Sequence, residues 1–416
     1  MSAIEIGRVP DSERSQSPLD LFWIWAGANI VATTFAVGAS LTPAFDTRTA
    51  LALIVGGSLS GALLIAALAP LGPRLGVPSI IAARAALGIR GAGLVAFFMY
   101  VTNFAWIAIN NVIAASACAA VVGGPSSERA WAFGLGIVST LIVAGGPGLV
   151  ARTDRVAVPV LFAISLGMTV ACLRLEPVAA PARAPSLSLL RGFDVVAGYQ
   201  ASWILMFSDY SRYTRSGRGS FLAVFFGLGL TSAWLMPLGF LAAQAAHSPD
   251  PAAMMAALGL GAWGGLLMAF GTLTTNFVNI YLSALAWKSL LPRSSQGVAL
   301  WVTGLIGAAL SLLSRAWLER YADFMLLLGG VFVPVGGVLI ARYFFDRRAV
   351  DPDALYDPAG EHARNGGFSI PGTIGWLAGA ATYYFIGAIG GTLPALFVAM
   401  AVFVLVARLS ARSNGS

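Results

Sequence analysis

The feature that most constrains this chain is a series of apolar runs, near or above 18 residues long, that recurs from one end to the other. A helix of that length crosses about 30 Å of hydrocarbon. Only 10% of the residues are charged, against roughly 25% in soluble domains, so little of the chain meets water. Glycine is frequent, with 48 residues, as expected where membrane helices pack closely. We therefore predict an all-α integral membrane protein.

Twelve transmembrane helices are predicted from these runs. The first six spans cover about residues 20–44, 49–72, 92–122, 131–147, 157–174 and 194–212. The second six cover about residues 219–245, 257–287, 296–313, 321–342, 371–387 and 390–408. The longest polar interruption is a linker between spans 10 and 11, which separates a ten-span core from a two-span tail.

A ten-span core is typical of two five-span halves that form an inverted repeat, in which span 1 corresponds to span 6. Both are irregular in sequence: span 1 contains GANIVATTFAVGAS and span 6 contains AGYQASWILMFSDY. We expect both helices to be broken. The predicted divisions are a tail at 1–17, a first repeat at 18–174, a second repeat at 194–342, the linker at 343–370, spans 11 and 12 at 371–408 and a tail at 409–416.

The basic residues predict the orientation of the chain. With the N-terminus in the cytoplasm, 18 of the 25 lysines and arginines lie in inner segments and 7 in outer loops. The outer ones are Arg48, Arg129, Arg174, Arg183, Arg191, Arg315 and Arg320. The positive-inside rule then predicts that both termini lie in the cytoplasm. The chain is accordingly expected to span the inner membrane. The polar first 17 residues lack an apolar core, so we expect no cleaved signal peptide.

Several function classes are disfavoured. The net charge of +7 comes from residues scattered over short loops, which does not suit nucleic-acid binding. Cys118 and Cys172 lack metal-ligand spacing, and no nucleophile–base pair or phosphate-binding loop is present. We expect neither catalytic residues nor a cofactor. A sensor would be expected to carry a signalling domain, and a channel a ring of charged or repeated filter residues.

Polar residues inside the spans mark helix contacts or a substrate path, because unsatisfied polar groups in hydrocarbon are costly. Span 3 contains NFAWIAINN, in which Asn103, Trp106 and Asn110 share one helix face. A flat aromatic beside amides can stack on a planar ring and hydrogen-bond its edge. Span 8 contains LTTNFVNIY, with hydroxyls and amides that suit a hard cation beside a polar ligand. Helix packing alone would also account for both patterns.

No ionisable residue falls at mid-membrane depth, which disfavours a proton relay. This absence favours a cation held by hydroxyls and by the carbonyls of a broken helix. Sodium is therefore the expected coupling ion. Proton coupling stays open, because Asp209, next to Arg212 near the end of span 6, would titrate if water reached it.

Four motifs in order resemble the nucleobase–cation symporter family, which includes cytosine permeases and allantoin and hydantoin transporters. They are PSIIAARAALGIRG (78–91), FSDYSRYTRS (207–216), LTTNFVNIY (273–281) and PVGGVLIARYFFDRR (334–348). The resemblance covers about residues 17–348, and the last two spans match only in number. It implies cation-coupled uptake by alternating access, with substrate between spans 1, 3, 6 and 8.

The resemblance also implies site residues. Those implied for a small planar heterocyclic substrate are Trp106, Asn110, Tyr199, Gln200, Asn276 and Asn279. Those implied for the cation are carbonyls near Gly27, Ile30 and Gly271 and the hydroxyls of Thr274 and Thr275. One departure concerns span 6, where the usual aromatic falls on Gln200, flanked by Tyr199, so that either residue could close the stack.

The spans 6 and 8 motifs are most similar to those of cytosine permeases and of their hydroxymethylpyrimidine-transporting relatives. We therefore expect cytosine or hydroxymethylpyrimidine as substrate. A purine, allantoin or another small vitamin ring is the alternative within transport, and a sensor without net transport is the alternative of another class. Apart from substrate, cation and the lipid bilayer we expect no partner, with the chain functional as a monomer.

Overall fold

The computed structural model describes residues 7–175, 187–291, 293–313, 315–346, 348–387 and 390–413. Within these residues the chain is helical, with a single isolated β-bridge between Gln16 and Thr214. Arg183 and Arg347, which enter the charge count, lie outside the described residues, as do the ends of both predicted tails.

Twelve helical spans follow one another along the described chain. In order they are span 1 (Pro18–Asn29 and Ala32–Ala39), span 2 (Thr47–Leu68), span 3 (Arg84–Val121), span 4 (Glu128–Ala144), span 5 (Pro147–Leu173), span 6 (Leu189–Ala201, then Ile204–Met206), span 7 (Gly217–Ala246), span 8 (Gly261–Leu290), span 9 (Gln296–Leu310), span 10 (Tyr321–Ile340), span 11 (Ile370–Phe385) and span 12 (Thr392–Ser413). Seven of the described helices are individually long and apolar enough to cross a bilayer, and the two halves of span 1 together make an eighth.

Spans 1 and 6 are broken, as predicted. The halves of span 1 meet at 58°, because Ile30 and Val31 leave helical geometry and Val31 is extended (φ −144°, ψ 160°). Span 6 is α-helical only as far as Ala201 and continues as irregular 3₁₀ turns. β-branched residues and glycine lower helix propensity, and at the break in span 1 side chains bond to the residues on either side of it.

The predicted start of span 5 was wrong, whereas that of span 3 is close to the start of its regular helix. A short helical segment begins at Arg84, but Gly88 is non-helical (φ 80°, ψ 169°), so the continuous helix of span 3 begins just after Gly88, near the predicted residue 92. Span 5 begins at Pro147 rather than at residue 157. The hydropathy pattern therefore located only the later part of span 5, after the charged stretch at 152–155. Proline is favourable in the first helical turn because its missing N–H needs no partner there.

The linker between spans 10 and 11 packs against the start of span 3, on the side of the protein that carries the N-terminus. The Ser369 amide donates to the carbonyl of Leu87 at 2.8 Å, and Arg84 donates to the carbonyl of Leu355 at 3.0 Å. A Cβ at Gly88 would lie 2.5 Å from the carbonyl oxygen of Gly367, so this contact requires glycine. The linker is thus a folded part of the protein.

The second half of span 1 packs against span 7 with the backbones almost in contact. A Cβ at Gly38 would overlap the carbonyl oxygen of Met236, and a Cβ at Gly239 would overlap that of Phe35. Small residues at such positions allow membrane helices to approach closely. This contact fixes the second half of span 1 relative to span 7.

We predict that Gly38→Ala destabilises the protein by about 1–3 kcal/mol, because the added methyl group overpacks this contact. The melting temperature of the purified protein in detergent measures the effect. Gly134→Ala is the matched control, since a Cβ there meets nothing within 4 Å. Equal melting temperatures for the two variants would contradict the close contact between spans 1 and 7.

Candidate functional site

Spans 1, 3, 6 and 8 enclose a central cavity with a free volume of about 20 Å³. Its walls are formed by Thr33, Met99, Asn103, Trp106, Tyr199, Ser202, Trp203, Met206, Thr275, Asn279 and Leu282. These are the four spans between which the sequence placed the substrate. The volume suits about one water molecule, so a ring-sized ligand needs the walls to move apart.

Trp106 is the aromatic centre of this cavity and is 7% exposed. Its ring meets Tyr199 edge-to-face, with centroids 5.8 Å apart and an interplanar angle of 80°. Tyr321 and Phe324 of span 10 make similar contacts, at 6.4 and 5.2 Å. Edge-to-face contacts orient a ring strongly, so the indole is held in place for a planar ligand.

Two buried amides in the cavity wall have no hydrogen-bond partner. Asn103 is 4% exposed and Asn279 is 6% exposed, and the side-chain nitrogen of each is buried without a partner among the described residues. Leaving such a group unpaired costs about 1–3 kcal/mol. Two unpaired amides beside a positioned indole are able to bind the hydrogen-bonding edge of a stacked ring.

A hydrogen-bond network holds Tyr199 against the break in span 1. The Tyr199 hydroxyl lies 2.7 Å from Thr34 Oγ1 and donates to Asn29 Oδ1 at 3.3 Å. Asn29 Nδ2 in turn donates to Thr231 Oγ1 and Ser232 Oγ of span 7, each at 2.7 Å. Spans 1, 6 and 7 are thereby joined by side chains that are all buried.

Gln200, which the resemblance implies for the substrate, does not line the cavity. Its Nε2 donates to Ser232 Oγ at 2.6 Å, and its side chain packs against Gly61 of span 2. Neighbouring residues on a helix point about 100° apart, which turns Tyr199 to the cavity and Gln200 to the packing interface.

Asn110 and Asn276 are also absent from the cavity wall, in contrast to the roles the resemblance implied. Asn110 Nδ2 donates to the carbonyl of Trp106 at 2.9 Å and to Asn276 Oδ1 at 3.4 Å. Asn276 Nδ2 donates to Asn111 Oδ1 at 2.8 Å. The three amides form a connection between spans 3 and 8, because each lies on the flank of its helix that faces the other helix.

The five residues implied for the cation lie where spans 1, 5 and 8 meet. A Cβ at Gly271 would lie 3.5 Å from the amide nitrogen of Ala32, just after the break, and 3.5 Å from Leu161 of span 5. A Cβ at Gly27 would lie 3.9 Å from Val158 of span 5. Ile30 is the residue at which the first half of span 1 ends.

The oxygen atoms of this region have the chemistry that a hard cation requires. The Val31 amide donates to the carbonyl of Asn29 rather than to that of Gly27, its ordinary α-helical partner. The hydroxyls of Thr274 and Thr275 donate to the carbonyl of Gly271, at 3.1 and 2.8 Å. Carbonyl and hydroxyl oxygens from a broken helix and its neighbour are typical ligands for a coupling cation.

Sequence reasoning missed several cavity residues. Thr33 carried a usable signal, since it follows the predicted break and the first residues after a break face the site. Asn103 was placed by the sequence on the same helix face as Trp106, but it was not included among the implied substrate residues. The apolar residues Met99, Met206 and Leu282 carried none, because their sequence context does not distinguish a cavity wall from a lipid-facing surface.

Comparison with known proteins matches the whole of this architecture. A family model described as permease for cytosine/purines, uracil, thiamine and allantoin matches residues 8–406. The Bacillus subtilis (strain 168) protein YxlA, assigned as a purine-cytosine permease, is 26% identical over 382 residues, which are 86% of this chain and 82% of YxlA. The cytosine permease of Escherichia coli (strain K12) is 24% identical over 348 residues, which are 82% of this chain and 81% of the permease.

Solved structures of Mhp1 share the fold. The inward-facing conformation of Mhp1 superposes with a TM-score of 0.85 and 18% identity, over 98% of this chain and 93% of Mhp1. A second structure shows Mhp1, a nucleobase-cation-symport-1 family transporter, in a closed conformation with bromovinylhydantoin bound. It superposes with a TM-score of 0.84 and 17% identity, over 99% of this chain and 96% of Mhp1. The predicted fold class and resemblance are confirmed, and the match extends beyond residue 348 to include spans 11 and 12.

We predict that alanine substitutions at two asparagines of span 8 differ in their effect on stability. Asn276→Ala leaves the side chains of Asn110 and Asn111 without their buried partner, which costs about 1–3 kcal/mol of stability. Asn279→Ala removes an amide that has no partner, so the melting temperature stays close to that of the unaltered protein. Thermal unfolding of both variants without ligand measures the difference, and a larger loss for Asn279→Ala would refute the assignment of the two amides.

Proposed function

The chain belongs to the family of permeases for cytosine/purines, uracil, thiamine and allantoin, and we propose that it couples the uptake of a pyrimidine base to the inward movement of sodium. Cytosine and hydroxymethylpyrimidine are the proposed substrates. The observation that carries the proposal is the pair of unpaired amides, Asn103 and Asn279, beside the indole of Trp106 in one buried cavity.

The chemistry of an aminopyrimidine fits this wall. Its flat face stacks on Trp106, whose ring is fixed by three aromatic neighbours. Cytosine carries the adjacent acceptors N3 and O2, which pair with the amide donors of Asn103 and Asn279. The amino group of either proposed substrate pairs with an amide or hydroxyl oxygen of the wall. A ligand that pairs both amides also removes the cost of leaving them unsatisfied. A single ring needs less expansion of a 20 Å³ cavity than a purine does.

The proposed substrate contacts are therefore Trp106, Tyr199, Asn103 and Asn279. The remaining implied residues, Asn110, Asn276 and Gln200, act indirectly, since their hydrogen bonds set the spacing of spans 3, 6, 7 and 8. In this assignment Tyr199, rather than Gln200, is the span 6 residue that contacts the substrate ring on the side opposite Trp106.

The proposed sodium site uses the carbonyls near Gly27, Ile30 and Gly271 with the hydroxyls of Thr274 and Thr275. Thr275 also lines the central cavity, so one residue of span 8 belongs to both sites. A cation between spans 1 and 8 would order the break next to Thr33, another wall residue. Proton coupling through Asp209 is the alternative, but Asp209 lies beyond the end of the span 6 helix and is absent from the cavity wall.

We further propose that substrate reaches the cavity by alternating access, with both termini in the cytoplasm. The described helices leave a free volume of only about 20 Å³ at the cavity, so a ring-sized substrate requires spans 1 and 6 to separate from spans 3 and 8, on one side at a time. The excess of basic residues on the N-terminal side supports this orientation in an inner membrane.

We predict that the purified protein melts at a higher temperature with cytosine or hydroxymethylpyrimidine, and that sodium enlarges the shift. A ligand that binds only the folded state must stabilise it, and coupling between two sites is reciprocal. The screen also includes uracil, adenine, hypoxanthine, allantoin and pyridoxine, each with and without sodium. A shift only with a purine or allantoin would replace the proposed substrate, and identical shifts in both buffers would exclude sodium coupling.

We predict that substrate binding and its sodium dependence are lost separately, each in a different variant. Trp106→Ala weakens substrate binding by about tenfold or more through lost stacking, whereas Thr275→Ala mainly reduces the sodium dependence. Titrations of substrate at several sodium concentrations separate the two effects. Trp263→Ala, at a 70% exposed tryptophan, and Thr153→Ala are the matched controls, and equal loss of both properties in both variants would contradict two distinct sites.

A further inference from the structure

A second cavity lies at the other end of the protein, on the side opposite the N-terminus. Spans 6, 10 and 11 surround it, and its volume of about 330 Å³ falls in the range of about 300–1,000 Å³ that is typical of small-molecule pockets. Its polar wall consists of Arg191, Asp194, Asp323, Tyr383 and Tyr384. None of these residues belongs to the central site.

Two of the polar groups in this wall are buried without a partner among the described residues. They are the hydroxyl of Tyr383, a residue only 3% exposed, and Nε of the half-buried Arg191. Both are hydrogen-bond donors, and both cost free energy while they stay unpaired. A ligand with an acceptor oxygen or nitrogen would satisfy them.

The carboxylates of the wall differ in their availability. Asp194 is 2% exposed, and its two oxygens accept from the amides of Gly391 and Thr392 at 2.6 and 3.0 Å. Asp194 is therefore committed to the start of span 12. Asp323 is exposed at the start of span 10, where its carboxylate is free to accept from a ligand.

The balance of charges indicates the class of ligand. One guanidinium and two carboxylates line the cavity, so a simple anion gains little net attraction, and a simple cation meets Arg191. A neutral molecule with a donor and an acceptor on neighbouring positions pairs with Asp323 and Arg191 together. Charge-assisted hydrogen bonds of this kind are the stronger ones.

We propose that this second cavity binds a small dipolar solute that presents an acceptor to Arg191 and Tyr383 and a donor to Asp323. Nucleobases and ureides belong to this chemical class. Spans 11 and 12 then have a role, because span 11 supplies Tyr383 and Tyr384 and span 12 fixes Asp194.

The second cavity is connected to the central one through two helices. Span 6 runs from Arg191 to Tyr199 in the central wall. On span 10, the residues on either side of Asp323 contact central-site residues: the Tyr321 hydroxyl donates to the carbonyl of Thr33 at 3.0 Å, and Phe324 packs on Trp106. A solute in the second cavity therefore contacts span 6, which moves in the proposed mechanism, and span 10, which packs on the central site.

The test uses Trp106→Ala, in which binding at the central site is weakened by about tenfold or more, and measures thermal shifts with cytosine, uracil and allantoin. We expect at least one compound to stabilise this variant. Adding Arg191→Gln or Asp323→Asn should weaken that binding by about tenfold or more, whereas adding Arg129→Gln, at an exposed arginine of the span 4 start, should leave it unchanged.

The outcomes separate this proposal from the proposed function. Failure of all three compounds to stabilise Trp106→Ala, or a shift that survives Arg191→Gln, would overturn the second site. The central site is judged independently, by binding that Trp106→Ala removes. If Trp106→Ala does not fold, Asn279→Ala takes its place, since loss of that unpaired amide should not lower stability.

Discussion

The interaction on which both sites depend is the bonding of Asn29 at the break in span 1. A break in a membrane helix leaves backbone groups without partners, at several kcal/mol each in hydrocarbon. Here the Thr34 hydroxyl bonds to the Asn29 carbonyl at 2.6 Å, while the Asn29 amide bonds to span 7. The break is stable because side chains replace the missing helical bonds. The same network orients Tyr199, so the cation region and the aromatic wall share one support.

The asparagines of spans 3 and 8 have two roles: some join the two helices, and others line the central cavity. Asn110, Asn111 and Asn276 are paired with one another and join the two helices. Asn103 and Asn279 lie one to two turns away, and their buried amides have no partner among the described residues. Within the paired group, Asn110 Oδ1 and Asn111 Nδ2 are also buried without a partner among the described residues. What distinguishes Asn103 and Asn279 is therefore their place in the cavity wall.

Much of this fold could be predicted from sequence, because the bilayer imposes a length on every span. The broken helices were predictable from glycine and β-branched residues at mid-depth in span 1. The start of span 5 was not, because the charged stretch at 152–155 interrupts the apolar pattern after Pro147. The site residues were predicted only by analogy, and analogy does not fix rotation about a helix axis. Tyr199 and Gln200 are adjacent in sequence, but their side chains point about 100° apart on the helix. One therefore faces the cavity and the other faces the packing interface.

The geometry also bears on how coupling arises. The hydroxyl of Thr275 donates to the Gly271 carbonyl, and Thr275 lines the central cavity. In the proposed mechanism, a cation that engages this hydroxyl and the carbonyls of span 1 would draw spans 1 and 8 together near Thr33. A base that enters a cavity of about 20 Å³ must at the same time push Trp106 and Tyr199 apart. Binding of the cation at the break in span 1 would thus offset the free energy needed to expand the central cavity, which lies only a few residues away. Such coupling requires no titratable group in the membrane, and it is reciprocal, since whatever holds the wall open for the base also holds the oxygen atoms in place for the cation.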